Sequence, residues 1–272
     1  MEKGRTVNTF KFVVLIPFAI VVIAFIALSK INTSGKADTL PQENPANELS
    51  GQSGKPTEND APTVEVNGIT YSYAYFSIQN PTQLSLLANF SEKLLSTDLA
   101  TSHNCETYIN GNFYDTEGKP LGLWRSGSIV RNIASENRTF NGFLSMSTSD
   151  IPSITFEEPL SPKIAVQTGP MLISEAQTLP LRIQNDEPAR RMTAVLGEDR
   201  MLHFLTVFQK NATYSGPTLT DLPEIVQAIG KTHQWHITEA INLDGGSASA
   251  FSDSSIVLQE LTPVGSIFCV SP

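Results

Sequence analysis

Four short stretches place amides, hydroxyls, carboxylates or guanidinium groups beside glycine at the ends of apolar runs. Strand ends and tight turns on a rigid scaffold are where binding and catalytic groups collect. The first stretch is INGNFYD, Ile109 to Asp115. Gly111 allows a sharp turn between the amides of Asn110 and Asn112, and Asp115 adds a carboxylate. The same residues also suit a plain Asx turn between strands. The second is QTGPMLI, where Thr168 and Gly169 end an apolar strand and Gly169 permits close approach of a ligand to the backbone. A simple strand-breaking turn would read the same way. The third is ARRMTAVLG, in which Arg190, Arg191 and Thr193 lead into a strand. A guanidinium fork matches phosphate bidentately, although two adjacent arginines also suit a solvated sheet margin.

The fourth stretch is AINLDGGSASAF, Ala240 to Phe251. An apolar strand delivers Asn242 and Asp244 into Gly245, Gly246 and Ser247. Successive N–H groups in such a turn form an anion-binding nest, and Asp244 stands where an ionisable group acts as nucleophile or acid/base. The competing reading is a β-turn in which the aspartate caps its own backbone.

Several elements must position these stretches. Residues 64–78 alternate around Asn67-Gly68, a strong two-residue hairpin signal. Asn80-Pro81 opens an expected helix, with Leu84, Leu87, Phe90 and Leu94 at helical spacing to about Ser96. Strands are expected over 106–109, 151–158, 163–168, 192–197, 201–209 and 236–243. Thr220 is expected to cap a helix that carries Leu222, Ile225 and Ile229 and stops at Gly230. Strands and helices do not alternate regularly. The expected fold is therefore α+β: one globular domain with a mixed sheet and a few helices.

That domain is expected to span 63–272. Residues 12–29 carry no charge and follow Lys3, Arg5 and Lys11. This predicts a transmembrane signal anchor with residues 1–11 in the cytoplasm and the remainder outside it. Residues 30–62 are polar and rich in Ser, Asn, Gly and Pro, which reads as a flexible linker. Residues 1–62 are balanced in charge, so the net charge of −9 falls on the domain. An acidic domain argues against nucleic acid as a partner. Cys105 and Cys269 could pair outside the cytoplasm or remain two buried thiols. His233 and His236 lack the glutamate of a zinc-protease helix, so no metal is expected there, and His203 reads as a core or edge histidine.

Taken in order, INGNFYD, Leu121-Gly122-Leu123, QTGPMLI, RRMTAVLG and INLDGGSASAF resemble the successive motifs of the phosphodiester glycosidases. This chain has Asn112 where the family pattern has a second glycine, Met192 between Arg191 and Thr193, and Ala248 before Ser249. The resemblance implies an extracytoplasmic hydrolase that releases a sugar from a carbohydrate phosphodiester, with no cofactor. It implies catalytic roles for Asp244, for Arg190 or Arg191, and for Asn110 and Asp115. It implies substrate-binding roles for Gly111, Asn112, Thr168, Gly169, Thr193, Asn242, Gly245, Gly246 and Ser247. A non-catalytic module that binds a glycan or envelope polymer in the same cleft is the alternative.

Overall fold

The computed structural model describes residues 61–272. The expected cytoplasmic segment 1–11, the anchor 12–29 and nearly all of the linker 30–62 lie outside the described residues. Among the described residues, no helix is long and apolar enough to cross a membrane.

In chain order the first elements are β1 (Thr63–Val66), β2 (Ile69–Ser77), β3 (Leu84–Ala88), α1 (Ser96–Ser102) and β4 (Thr107–Asn110). Then come β5 (Trp124–Ser126), β6 (Ile129–Asn132), β7 (Gly142–Met146), β8 (Pro152–Thr155), β9 (Ile164–Thr168), β10 (Met171–Ser174) and β11 (Gln177–Thr178). The chain closes with β12 (Arg191–Gly197), β13 (Leu202–Phe208), α2 (Leu222–His233), β14 (Ile237–Asn242), β15 (Phe251–Ser252), β16 (Val257–Leu258) and β17 (Ser266–Val270). They form a seven-stranded sheet in the order β1-β2-β13-β12-β14-β10-β11 and two five-stranded sheets, β16-β15-β4-β17-β3 and β6-β5-β9-β7-β8. The expected mixed sheet resolves into these three, and each paired set of named strands runs antiparallel.

The layers follow from which face of each strand is apolar. One face of the large sheet packs Ala194, Phe204 and Ile241 against Leu86, Ile109 and Phe268 of the second sheet and Trp124, Leu144 and Val166 of the third. The other face packs Val195, Leu205 and Ala240 under Ile225, Val226 and Ile229 of α2. A smaller cluster seats Leu99 and Ala100 of α1 on Tyr108, Ile267 and Cys269. Together these layers make one α+β domain.

The Asn67-Gly68 hairpin forms in the expected register, with Val66 opposite Ile69 and both turn residues at positive φ. The helix expected from Pro81 to Ser96 does not form. A short 3-10 turn at Pro81–Gln83 leads straight into β3, and α1 begins only at Ser96. Leu84 and Leu86 are the residues buried on β3, a period of two, because the strand is clamped along its length by β17. Two helix-end expectations also fail at α2. Thr220 gives its N–H and hydroxyl to Asp186 rather than capping the helix. The helix runs past Gly230 and ends at Gln234, which adopts φ 56°. Gly230 serves packing instead: a Cβ there would lie 2.3 Å from Cδ1 of Ile237.

Candidate active site

Two strand ends meet to build the centre of the site. β4 delivers Asn110 and Gly111, and β14 delivers the turn from Asp244 to Ser247. Asn110 is buried, donates from Nδ2 to the Asp244 carbonyl at 2.8 Å, and accepts from the Ala250 N–H at 2.9 Å. The Gly111 carbonyl accepts the Asp244 N–H at 3.1 Å. Asn110 therefore ties both ends of the turn to a buried strand, a positioning task that consumes both sides of its amide.

Arg190 just precedes β12 and Arg191 opens it, and the two separate onto opposite sides of the large sheet because successive side chains of an extended chain alternate. Arg190 enters the interior at 1% exposure. Its Nε donates to Ser249 Oγ at 2.7 Å, and its Nη2 donates to the carbonyls of Ser249 and of Gln259, the latter at 2.6 Å. Its guanidinium lies 4.8 Å from the Tyr214 ring centre. Its own carbonyl accepts the Gly246 N–H at 2.9 Å. Gly245 packs so closely here that a Cβ would stand 2.9 Å from that oxygen. Arg191 points to the α2 side, where it bonds the carbonyls of Pro217 and Glu187 and approaches Asp186 at 3.4 Å. Burial would raise the Asp186 pKa, but bonds from the Thr220 hydroxyl, the Leu219 and Thr220 N–H groups and the Arg191 charge hold it below the usual value. Arg190 is thus the arginine that belongs with the Asp244 turn, and Arg191 braces the approach to α2.

The remaining expected residues divide. Thr168 donates to the Asn242 carbonyl at 2.8 Å, and Asn242 Nδ2 donates to the Gly169 carbonyl at 3.0 Å, which binds the second motif to the fourth. Asn242 Oδ1 and Thr193 Oγ1, on residues directly opposite in register, are buried without a hydrogen-bond partner. Asn112 is buried and held by the Phe113 carbonyl and the Ser266 hydroxyl. Asp115 turns its carboxylate to the N–H groups of Glu117 and Lys119, the Asx arrangement, and no hydrogen bond among the described residues joins it to the Asp244 turn. The expected anion nest is internally bonded: the Gly245 N–H meets Asp244 Oδ1, the Gly246 N–H meets Arg190 and the Gly111 N–H meets Ser266. Ser247 stays exposed, with its carbonyl taken by the N–H groups of Leu261 and Thr262.

The electrostatics single out Asp244. Part of the residue is open to solvent, yet protein atoms crowd its carboxyl on the other sides, and that desolvation pushes it up to about 8 despite the bond from the Gly245 N–H. That shift favours the protonated form near neutral pH. Tyr114, which sequence reasoning passed over, is its neighbour. Burial raises the Tyr114 pKa, and the charges of Asp244 and Glu260 raise it further. Its hydroxyl donates to the Pro263 carbonyl at 2.6 Å. The only signal for Tyr114 was its place inside INGNFYD; the 260–265 segment that meets it carried no motif.

With the site set on an antiparallel α+β scaffold, comparison with known proteins supplies the class. Residues 103–270 match the family model of the phosphodiester glycosidases, and all four motifs fall inside that span. The chain belongs to the phosphodiester glycosidase family. Among solved structures, the fold is similar to the catalytic domain of zebrafish N-acetylglucosamine-1-phosphodiester alpha-N-acetylglucosaminidase, auto-inhibited by its pro-peptide. The TM-score is 0.57 at 14% identity over 78% of this chain and 81% of that one. A hypothetical protein from Synechocystis gives a TM-score of 0.57 at 12% identity over 77% of this chain and 61% of that one. No curated protein sequence matches the chain.

Proposed function

We propose that this protein hydrolyses a sugar-1-phosphodiester and releases the free sugar, and that Asp244 is its general acid. The supporting observation is the Asp244 carboxyl itself, raised to about 8 on a turn that Asn110, Gly111 and Arg190 hold in place. A phosphodiester carries a negative charge, and a carboxylate beside it would repel it. A neutral carboxyl accepts that neighbour and has a proton to give. In the reaction, the bond from the anomeric carbon to the bridging oxygen breaks and the electron pair leaves with the phosphate. Asp244 protonates that oxygen, water adds to the anomeric carbon, and the proton released by water restores the acid. Arg190 acts as a positioning residue through its carbonyl and the Ser249 and Gln259 contacts. Asp115 is not assigned the role of base, because its carboxylate is committed to its own turn.

The setting we propose is extracytoplasmic, with the domain tethered to a membrane by residues 12–29 and acting on cell-envelope glycopolymers or glycoconjugates. The Cys105–Cys269 disulfide supports an oxidising compartment. The test is release of sugar from a synthetic sugar-1-phosphodiester by the full chain. Asp244→Asn is expected to lower turnover by about 10²-fold or more with an unchanged circular dichroism spectrum. Near-parental turnover in that variant would remove Asp244 from the chemistry. Binding of the substrate without release by the parent would leave a glycan-binding module.

A further inference from the structure

The loop from Ala134 to Asn141 folds over β7 and β9 and leaves an open groove of about 680 Å³. Phe143 and Gln167 form its floor, both nearly fully buried. The loop is fixed in shape rather than draped. Gln167 Nε2 donates to the carbonyls of Ser135 at 2.6 Å and Phe140 at 2.9 Å, and its Oε1 accepts the Ser135 N–H at 3.0 Å. Asn137 Oδ1 accepts the N–H groups of Thr139 and Phe140, and Asn141 Oδ1 accepts that of Met171. What these bonds leave over is informative. The Nδ2 groups of Asn137 and Asn141 have no hydrogen-bond partner among the described residues. Glu136, Arg138 and Glu158 make no ion pair among them. Phe156, which also lines the groove, is 48% exposed.

This set mixes planar acceptors, planar donors and one open aromatic face. A sugar hydroxyl both donates and accepts, so it needs neighbours of both kinds. The C–H face of a sugar ring is apolar and packs on an aromatic face. Two carboxylates against one guanidinium leave the groove net negative, which disfavours a phosphate and favours an uncharged ring. The groove is also coupled to the candidate site. Phe140 stacks on Phe113 of the first motif with centroids 4.7 Å apart, and Gly169 of the second motif lies against Thr139 and Asn141.

We propose that this groove binds a neutral sugar unit of an extended substrate, away from the bond that is cut. As a subsite of the same substrate it rests on the hydrolase reading above. The experiment compares the full chain and its Phe156→Ala and Glu158→Gln variants on two substrates. One is a short synthetic sugar-1-phosphodiester; the other is the same molecule extended by two neutral sugars. The expected result is a rise in KM of roughly tenfold for the extended substrate only, with kcat and the short-substrate kinetics unchanged. Equal effects on both substrates, or none on either, would overturn the groove assignment. If the parent cleaves neither, the hydrolase reading fails and calorimetric titration decides, using neutral trisaccharides of glucose, galactose, mannose and N-acetylhexosamine. Saturable binding weakened roughly tenfold by Phe156→Ala upholds the groove, and absence of binding to every member overturns it.

Discussion

At the residue scale, the acid role proposed for Asp244 leaves a thermodynamic trace that can be read without any substrate. The folded-state pKa of Asp244 stands at about 8, against an ordinary value of 3.8. Below about pH 4 both folded and unfolded chains hold the proton, so the group contributes nothing to the difference between them. Between about 4 and 8 the unfolded chain releases the proton while the folded chain keeps it, so stability falls as pH rises. Above about 8 the loss is complete. Asp244→Asn mimics the protonated acid without titrating. Its melting temperature is expected to equal that of the parent near pH 3 and to exceed it increasingly up to pH 9, measured by scanning calorimetry. A difference independent of pH would show that the carboxyl is not held protonated. His203, pushed down to about 4 chiefly by burial, titrates in an overlapping window. It is common to both proteins and cancels in the difference.

At the scale of elements, the loop over the groove depends on Gly169. This residue has φ 149°, and a Cβ would lie 2.4 Å from the Thr139 carbonyl and 3.0 Å from the Asn141 N–H. These are backbone atoms and cannot rotate aside. Gly169→Ala is expected to cost about 2 kcal/mol or more and to speed hydrogen exchange across 134–141 while α2 keeps its protection. Unchanged exchange in the loop would mean that the two segments are not braced against each other. The same local scale explains what the sequence made legible. The Asn67-Gly68 hairpin and the β12–β13 and β14 strands carry their own signals in turn chemistry and apolar runs. β3 does not, because its strand character comes from pairing with β17 far along the chain, as in Leu84 opposite Val270. Locally, its leucines fit a helix as well. The site shows the same division. Asn110 and Asp244 stood out as strand-end residues beside glycine and do meet. The choice between Arg190 and Arg191 depends on which face of β12 points inward, and adjacent identical residues give no clue to that. Tyr114 became visible only when the 260–265 segment folded against it.

Across the whole molecule, one covalent link ties the last strand to the segment between α1 and β4. Cys105 and Cys269 form a disulfide across a sequence separation of 164 residues. Cys269 lies on β17, which is paired on both sides by β3 and β4, and it packs with Leu99, Ala100 and Ile267 under α1. The link therefore fastens the last strand into the sheet whose β4 ends at Asn110, next to Gly111. Closing a loop of this length removes unfolded-state entropy equivalent to about 5 kcal/mol in the chain-entropy description, and native disulfides typically contribute about 2–5 kcal/mol. For a domain of this size each kcal/mol moves the melting temperature by about 2–4 °C. The double variant Cys105→Ser, Cys269→Ser is thus expected to melt roughly 5–15 °C lower. At 20 °C it should still bind and turn over substrate, because the Asp244 turn is held by Asn110, Gly111 and Arg190 rather than by the sulfurs. Thermal denaturation and activity measured side by side separate the two effects. An unchanged melting temperature would show that the β3–β17–β4 pairing alone secures the C-terminus. Loss of activity well below the melting transition would show instead that the disulfide sets the geometry at the end of β4.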